Sequence, residues 1–375
     1  MAVEGSVLCR DLELYECIQC GKCTGGCPVS IRSNLNPRKL VYEALLGTRF
    51  HSTERVEIWE CTTCATCAER CPKQVKPYEV VLALRSDVVE SGRVRPSLRD
   101  TLESTFMHGN PWGRSREKRS EWVGNLDVRI LKEGEKTDLL YFVCCTAAYD
   151  PRVQELSKAL VTLFQKAGMD FAILGNQESC CANEMNEMGE KGLFEMMQKN
   201  NAELFSKYQF LQMTTTSPHC LHAFTYDYPD RTYDVSHYTQ LVSRYITEGR
   251  LAFKGELAKK VTYHDPCFLG KRNKIFEEPR HILRSIPGLE YLEMDRSRER
   301  SLCCEGGGGR MWMESESSAE RLAEIRIKEA VAMGAEILAT ACPFCLLTLE
   351  DAAKTTGNEE RIQVRDIVEL VGIVT

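Results

Sequence analysis

Nineteen cysteines constrain this 375-residue chain more than any other feature, because seventeen of them fall into four spaced sets. The run Cys17-x2-Cys20-x2-Cys23-x3-Cys27-Pro28 recurs as Cys61-x2-Cys64-x2-Cys67-x3-Cys71-Pro72. The other two sets are built on adjacent pairs, Cys180-Cys181 and Cys303-Cys304, each with a lone cysteine upstream and a Pro-x-Cys segment downstream. Thiolate is the protein ligand of iron–sulfur clusters, so this spacing points to electron transfer. Disulfides are the alternative use of so many cysteines, and they suit a small secreted protein better than a chain of this size. The first seventeen residues lack a basic region followed by an apolar stretch, which argues against secretion.

The length suggests two or three domains with substantial cores. A formal net charge of −6 disfavours nucleic acid or an anionic membrane as the main partner. No apolar run approaches the roughly 18 residues that a membrane span needs. A cytoplasmic setting follows as the expectation.

Residues 37–46 read as an amphipathic helix closed by Gly47, and Pro77 to Glu90 as a second helix stopped by Ser91-Gly92. With both cysteine quartets included, residues 1–91 read as one largely helical domain. Residues 92–137 carry Arg114, Arg116, Lys118 and Arg119 and read as a solvated connector, an anion-binding patch being the alternative. From 138 the character changes. Leu139 to Val143 reads as a buried strand, Pro151 to Ala167 as a helix and Phe171 to Leu174 as a strand. Helices are predicted over Asn183 to Tyr208 and Tyr238 to Thr247, and Val261-Thr262-Tyr263 restarts the series. Such alternation predicts α/β units with mainly parallel sheets. Cys145 to Cys267 is 122 positions, Cys180 to Cys303 and Cys181 to Cys304 are 123, and Cys220 to Cys345 is 125. Cysteines that keep step in this way imply a duplicated module of about 120 residues, read as 138–245 and 246–375.

The C-x2-C-x2-C-x3-C-P run is the bacterial ferredoxin pattern for a cubane [4Fe–4S] cluster, in which the fourth cysteine of each run serves the other cluster. That crossing predicts Cys17, Cys20, Cys23 and Cys71 on one cluster and Cys61, Cys64, Cys67 and Cys27 on the other. Zinc is the alternative for any CxxC pair. Cys9 belongs to neither quartet and reads as a buried spare thiol. The helical filler resembles α-helical ferredoxin domains rather than the compact β-rich type.

The segments His264-Asp265-Pro266-Cys267, Leu302-Cys303-Cys304-Glu305 with its run Gly306 to Gly309, and Cys342-Pro343-Phe344-Cys345 resemble the cysteine-rich CCG module of heterodisulfide reductase. The order of a ferredoxin domain followed by two such modules resembles the D subunit of that enzyme. The resemblance implies a multidomain fold: an N-terminal α-helical ferredoxin-like domain with two [4Fe–4S] sites, then duplicated α/β modules. It also implies that Cys267, Cys303, Cys304, Cys342 and Cys345 hold a noncubane [4Fe–4S] cluster at which a disulfide is cleaved, making these the catalytic residues. In the first module Cys145, Cys180, Cys181 and Cys220 match, but Ser217 stands where the family has a cysteine. Four thiolates suit a third cubane that relays electrons. Cys144 is the candidate fifth ligand, disfavoured because adjacent strand residues face opposite ways. Glu305 replaces the family glycine. His264 and Asp265 are candidate proton carriers; they and the histidines beside Cys220, His219 and His222, are equally read as loop histidines and acids held by hydrogen bonds.

Reduction of a disulfide takes two electrons and two protons. The expected path enters at residues 17–71, crosses the first module and ends at the second. The alternative is a non-catalytic relay component of a larger flavin-based electron-bifurcating complex, such as one serving benzoyl-CoA reduction. The chain holds no nucleotide fingerprint. The resemblance implies other redox subunits as partners, either the flavin-containing A-type component of heterodisulfide reductase or a cytochrome b. The cytochrome would give peripheral attachment to the inner membrane. A small disulfide substrate is implied as well.

Overall fold

The computed structural model describes residues 9–47, 55–228, 231–313 and 318–375, so the reading of the first seventeen residues falls partly outside the described chain. Each cysteine quartet ends in a short helical turn, Lys22–Gly25 or Thr66–Glu69, entered through a left-handed residue: Gly21 at φ +78° and Ala65 at φ +59°. Proline at the first turn then starts α1 (Pro37–Leu45) and α2 (Pro77–Glu90). Asn36 caps α1 by accepting from Lys39 N at 3.0 Å. The two helices pack together and close the ferredoxin-like unit. Cys9 is buried and donates to Ala44 O at 3.2 Å, as expected of a spare thiol.

Segment 92–137 is more than a solvated connector. It contains α3 (Pro96–His108) and, although Arg114, Arg116 and Lys118 are exposed, Arg119 is buried. Its guanidinium donates to Glu178, and Nη1 lies 3.4 Å from Cys145 Sγ. A charge with a buried carboxylate waiting for it does not stay in solvent.

Two four-stranded parallel sheets follow. The first takes the order β2 (Phe171–Ala172), β1 (Lys136–Phe142), β3 (Gln209–Thr215), β4 (Asp234–His237). The second repeats it with β6 (Glu290–Leu292), β5 (Lys260–Tyr263), β7 (Ile337–Thr340) and β8 (Gln363–Asp366). Around the first lie α4 (Pro151–Lys166), α5 (Lys191–Phe205) and α6 (Tyr238–Thr247). The second carries α7 (Glu277–Ser285), α8 (Leu322–Ala332), α9 (Pro343–Thr355) and α10 (Ile367–Val374). The shared strand order is the structural counterpart of the cysteine repeat.

The helix expected over 183–208 is two helices, Asn183–Glu187 and α5, broken at Gly189. Gly189 has φ +88°, and a Cβ there would meet Ser86 N of α2 at 2.5 Å. Close approach of the ferredoxin-like unit therefore dictates the break. Gly189→Ala combines left-handed strain with overpacking and is expected to cost roughly 2 kcal/mol or more, read by denaturant unfolding.

The modules meet where Tyr238 OH of α6 donates to Asp366 Oδ1 at 2.5 Å and Arg152 of α4 reaches Glu350 and Glu369 at 2.6 and 2.9 Å. Burial pushes the Asp366 carboxyl up to about 8. A raised folded-state pKa contributes stability that is fully present below the ordinary carboxylate value near 4 and is lost as pH rises through about 8. Asp366→Asn is expected to flatten that part of the stability–pH curve, measured by thermal unfolding across the window.

Candidate metal centres

None of the nineteen cysteines is in a disulfide. In the ferredoxin-like unit, Cys17, Cys20, Cys23 and Cys71 line one small cavity, and Cys27, Cys61, Cys64 and Cys67 line another. Each cavity thus draws three cysteines from one run and the fourth from the other. The two sites differ in exposure. Cys20 is exposed, whereas Cys61, Cys64 and Cys67 are buried, and burial pushes Cys61 up to about 12.

The second module's cysteines sit at the carboxyl ends of β5 and β7 and in the loop that follows β6, where open α/β sheets place their sites. Cys267 follows β5, Cys342 caps α9, and Cys345 lies in its first turn. Cys304 lies 3.1 Å from Cys345, Cys303 is close enough to Cys267 and Cys304 for their thiols to push its own up, and Cys345 lowers the neighbouring Cys342 thiol. All five are buried. Hydrogen bonds from Cys303 and Cys345 hold the Cys304 thiol well below the usual thiol range. His264 is fully buried within 4.8 Å of the Cys304 and Cys345 sulfurs, and its Nδ1 accepts from Arg326 Nε at 3.3 Å. Asp265 is not free to carry protons: it chelates Arg280 at 2.7 and 2.9 Å and accepts from Arg298 N.

In the first module the buried thiols of Cys145, Cys180, Cys181 and Cys220 are near enough for each to shift the next, Cys145 with Cys180, Cys180 with Cys181 and Cys181 with Cys220. Cys144 joins them through Cys220. Strand alternation does not apply to it, because β1 ends at Phe142 and Cys144 caps the short helix Cys145–Tyr149 with φ −5°. Five thiols therefore gather here too, with Ser217 in the position of Cys342, capping the helix after β3. His222 lies away from the set, beside Tyr226, and burial lowers it to about 3.

The buried quartet and the first module both border the second module. Cys303 lies 3.3 Å from Thr62 Oγ1 of the ferredoxin-like unit, and its nearness holds the Cys64 thiol well below the usual thiol range. Lys271, buried between them, donates to Thr66 Oγ1 at 2.8 Å and Ser301 O at 2.6 Å. On the other side His219, one residue before Cys220, stacks on Phe268 at 3.9 Å and pairs with Glu184 at 2.8 Å, and the nearby Cys342 and Glu184 push it well above the usual imidazole range. The ferredoxin-like unit thus touches the second module directly; a path that must cross the first module is not required by this packing.

Two devices hold the junction. The glycine run packs closely on backbone: a Cβ on Gly308 would meet Cys61 O at 2.8 Å, and Gly309 N donates to Glu184 Oε2 at 2.8 Å. Arg85 of α2 is wholly buried and donates to Ile58 O and Cys61 O, to Glu187 O of the first module and to Gly308 O of the second.

Four clustered sets of free thiols, interleaved with hydrogen-bond donors and without a carboxylate among the sulfurs, match the soft donor set of iron–sulfur clusters. A dicluster thiol unit joined to two cysteine-rich α/β modules defines an iron–sulfur oxidoreductase architecture. Residues 13–75 match the family model of a 4Fe-4S dicluster domain, and residues 139–225 and 261–350 match that of a cysteine-rich domain, CCG. The chain is 30% identical over 394 residues to the D subunit of the dihydromethanophenazine:CoB–CoM heterodisulfide reductase of Methanosarcina barkeri, covering 96% of this chain and 93% of that one. It belongs to the family of heterodisulfide reductase D subunits. It is also 33% identical over 293 residues to the probable iron-sulfur-binding oxidoreductase FadF of Bacillus subtilis, and 28% over 414 residues to the EtfAB:quinone oxidoreductase of Syntrophomonas wolfei. These alignments cover 76% and 96% of this chain but only 41% and 58% of those longer proteins. No helix among the described residues is long and apolar enough to cross a membrane.

Proposed function

We propose that the chain is an oxidoreductase subunit that receives electrons at its exposed quartet and delivers them to the second module for reduction of a small disulfide. The carrying observation is the second-module quintet, Cys267, Cys303, Cys304, Cys342 and Cys345, gathered with His264 and touching Cys64. Clusters bound at the four thiol sets supply one-electron transfer and, in the second module, iron able to take a substrate sulfur. The chain's residues do the rest. Cys17, Cys20, Cys23 and Cys71 hold the entry site, where Cys20 meets solvent. Cys27, Cys61, Cys64 and Cys67 hold the second site against Cys303. His264, beside Cys304, is placed to hand a proton to a leaving thiolate, while Lys271 and His219 offset thiolate charge. In the first module Cys144, Cys145, Cys180, Cys181 and Cys220 form the donor set, with Cys144 standing in for the thiol that Ser217 lacks.

The subunit naming of the methanogen relative and the quinone oxidoreductase activity named for the Syntrophomonas relative support redox partners for this chain, a flavoprotein of the A type or a cytochrome b. A pure relay is the second reading, favoured by one observation: all five second-module thiols are buried. Release of thiols from small disulfides by the reconstituted protein under a low-potential viologen donor separates the two. Disulfide cleavage that is lost in Cys304→Ser is the expected result; clusters that reduce normally while no disulfide is cleaved would establish the relay. Cys144→Ser is expected to perturb the first-module signal in electron paramagnetic resonance and leave the other three sets unchanged, whereas Cys9→Ser should change none.

A further inference from the structure

The ferredoxin-like unit touches the second module directly, which leaves the first module beside the electron path rather than on it. Its thiols still border the second module. His219, next to Cys220, stacks on Phe268 at 3.9 Å, and its ring lies 5.0 Å from that of Phe344, between Cys342 and Cys345. One side chain sets the first module's thiols apart. Arg119, from the segment before β1, is 2% exposed. Its Nε and Nη2 both donate to Glu178 Oε1, and Glu178 Oε2 accepts from Val143 N at 2.9 Å. That pairing fixes the guanidinium plane and leaves Nη1 to donate to Cys145 Sγ at 3.4 Å. The Tyr149 ring packs over the guanidinium, 5.7 Å away. The two modules share a backbone contact to sulfur, from Ala182 N to Cys180 at 3.4 Å and from Glu305 N to Cys303 at 3.3 Å. At Cys267, the counterpart of Cys145, Arg272 is turned instead to Glu187 and the face of Tyr78.

We propose that Arg119 is a positioning residue that raises the reduction potential of a first-module cluster, making it an electron store for the second module. Reduction adds negative charge to a cluster and its thiolates, and a charge-assisted hydrogen bond to a ligand sulfur favours the more negative state. Glu178 balances the cation at long range, but Cys145 meets the donor end of the pair, so the effect acts through Cys145 and fades at the other thiol sets. Cleavage of a disulfide to two thiols takes two electrons and two protons, whereas the donor at the exposed quartet supplies electrons singly. An electron held in the first module supplies one of the pair, and the buried quartet delivers the other. This role rests on the reading that Cys144, Cys145, Cys180, Cys181 and Cys220 hold a cluster; the potential itself does not depend on disulfide cleavage.

An equilibrium redox titration of the full metal-loaded chain, followed by electron paramagnetic resonance with no disulfide present, tests it. The first-module signal is the one absent from Cys180→Ser/Cys181→Ser, and in the wild type it should be reduced ahead of the buried quartet. Arg119→Met should lower its reduced-to-oxidised ratio at fixed potential at least tenfold, a downward shift of about 59 mV or more for one electron, and leave the other three sites in place. Arg119→Met/Glu178→Gln removes both buried charges together and should shift the same site downward. It covers the case in which Arg119→Met leaves Glu178 unpaired and does not fold. A first-module potential unchanged in either variant, or a shift shared by all four sites, would overturn the assignment. A wild-type chain with no first-module signal would overturn it together with the donor-set reading.

Discussion

Arg85→Met is expected to be the most destabilising single change in the molecule. The guanidinium makes five hydrogen bonds to four carbonyls, Ile58, Cys61, Glu187 and Gly308, drawn from all three units of the chain. Methionine keeps the volume but removes the donor from Cys61 O, Glu187 O and Gly308 O, each worth about 1–3 kcal/mol, while Ile58 O keeps the bond from Cys61 N. The loss should reach roughly 4 kcal/mol or more, enough to bring a marginally stable chain close to unfolding. Arg85→Lys should recover little, because one ammonium cannot span the positions that the planar fork reaches. Thermal unfolding followed at cluster absorbance and at far-ultraviolet circular dichroism would show the two signals separating, with the thiol sites failing first as the junction opens.

The second large effect is on metal content, and it follows from the crossed quartets. Cys71 lies in the second run but lines the first cavity with Cys17, Cys20 and Cys23. Cys27 lies in the first run but lines the cavity of Cys61, Cys64 and Cys67. Cys71→Ser is therefore expected to cost the exposed site, lowering iron by about four per chain if the cluster is lost whole. Cys27→Ser should cost the same iron from the buried site against Cys303. The two variants should give complementary spectra. An uncrossed arrangement would exchange the two outcomes.

Much of this was legible in the sequence because the constraints are local. Four sulfurs at fixed spacing can satisfy few geometries, and the crossed pairing is the one that two-cluster ferredoxins of this pattern use. Proline at the start of α2 and Ser91-Gly92 after it bracket the helix as observed. The repeat of cysteines at 122–125 positions reappears as one strand order used twice. What escaped was tertiary. Cys144 looked like a strand residue facing away from Cys145, but the strand stops two residues earlier. Arg119 reads as solvated in a run of basic residues, but Glu178 is buried beside it. Gly189 splits a helix because α2 presses on it, and Arg85 reads in sequence as one more helix arginine. Most consequential, linear order placed the first module between the ferredoxin-like unit and the second module, whereas packing puts Cys64 against Cys303.

That contact is the centre of the functional reading, and rapid reduction kinetics tests it most directly. Each of two variants, Cys180→Ser/Cys181→Ser and Cys27→Ser, would be mixed with a donor that reacts at the exposed quartet, and reduction of the second-module site followed by freeze-quench electron paramagnetic resonance. The expected result is near wild-type reduction when the first module's cysteine pair is removed, and a large slowing when Cys27 is removed. Reduction that collapses with the first module's pair and survives loss of Cys27 would contradict a direct junction between the buried quartet and the second module.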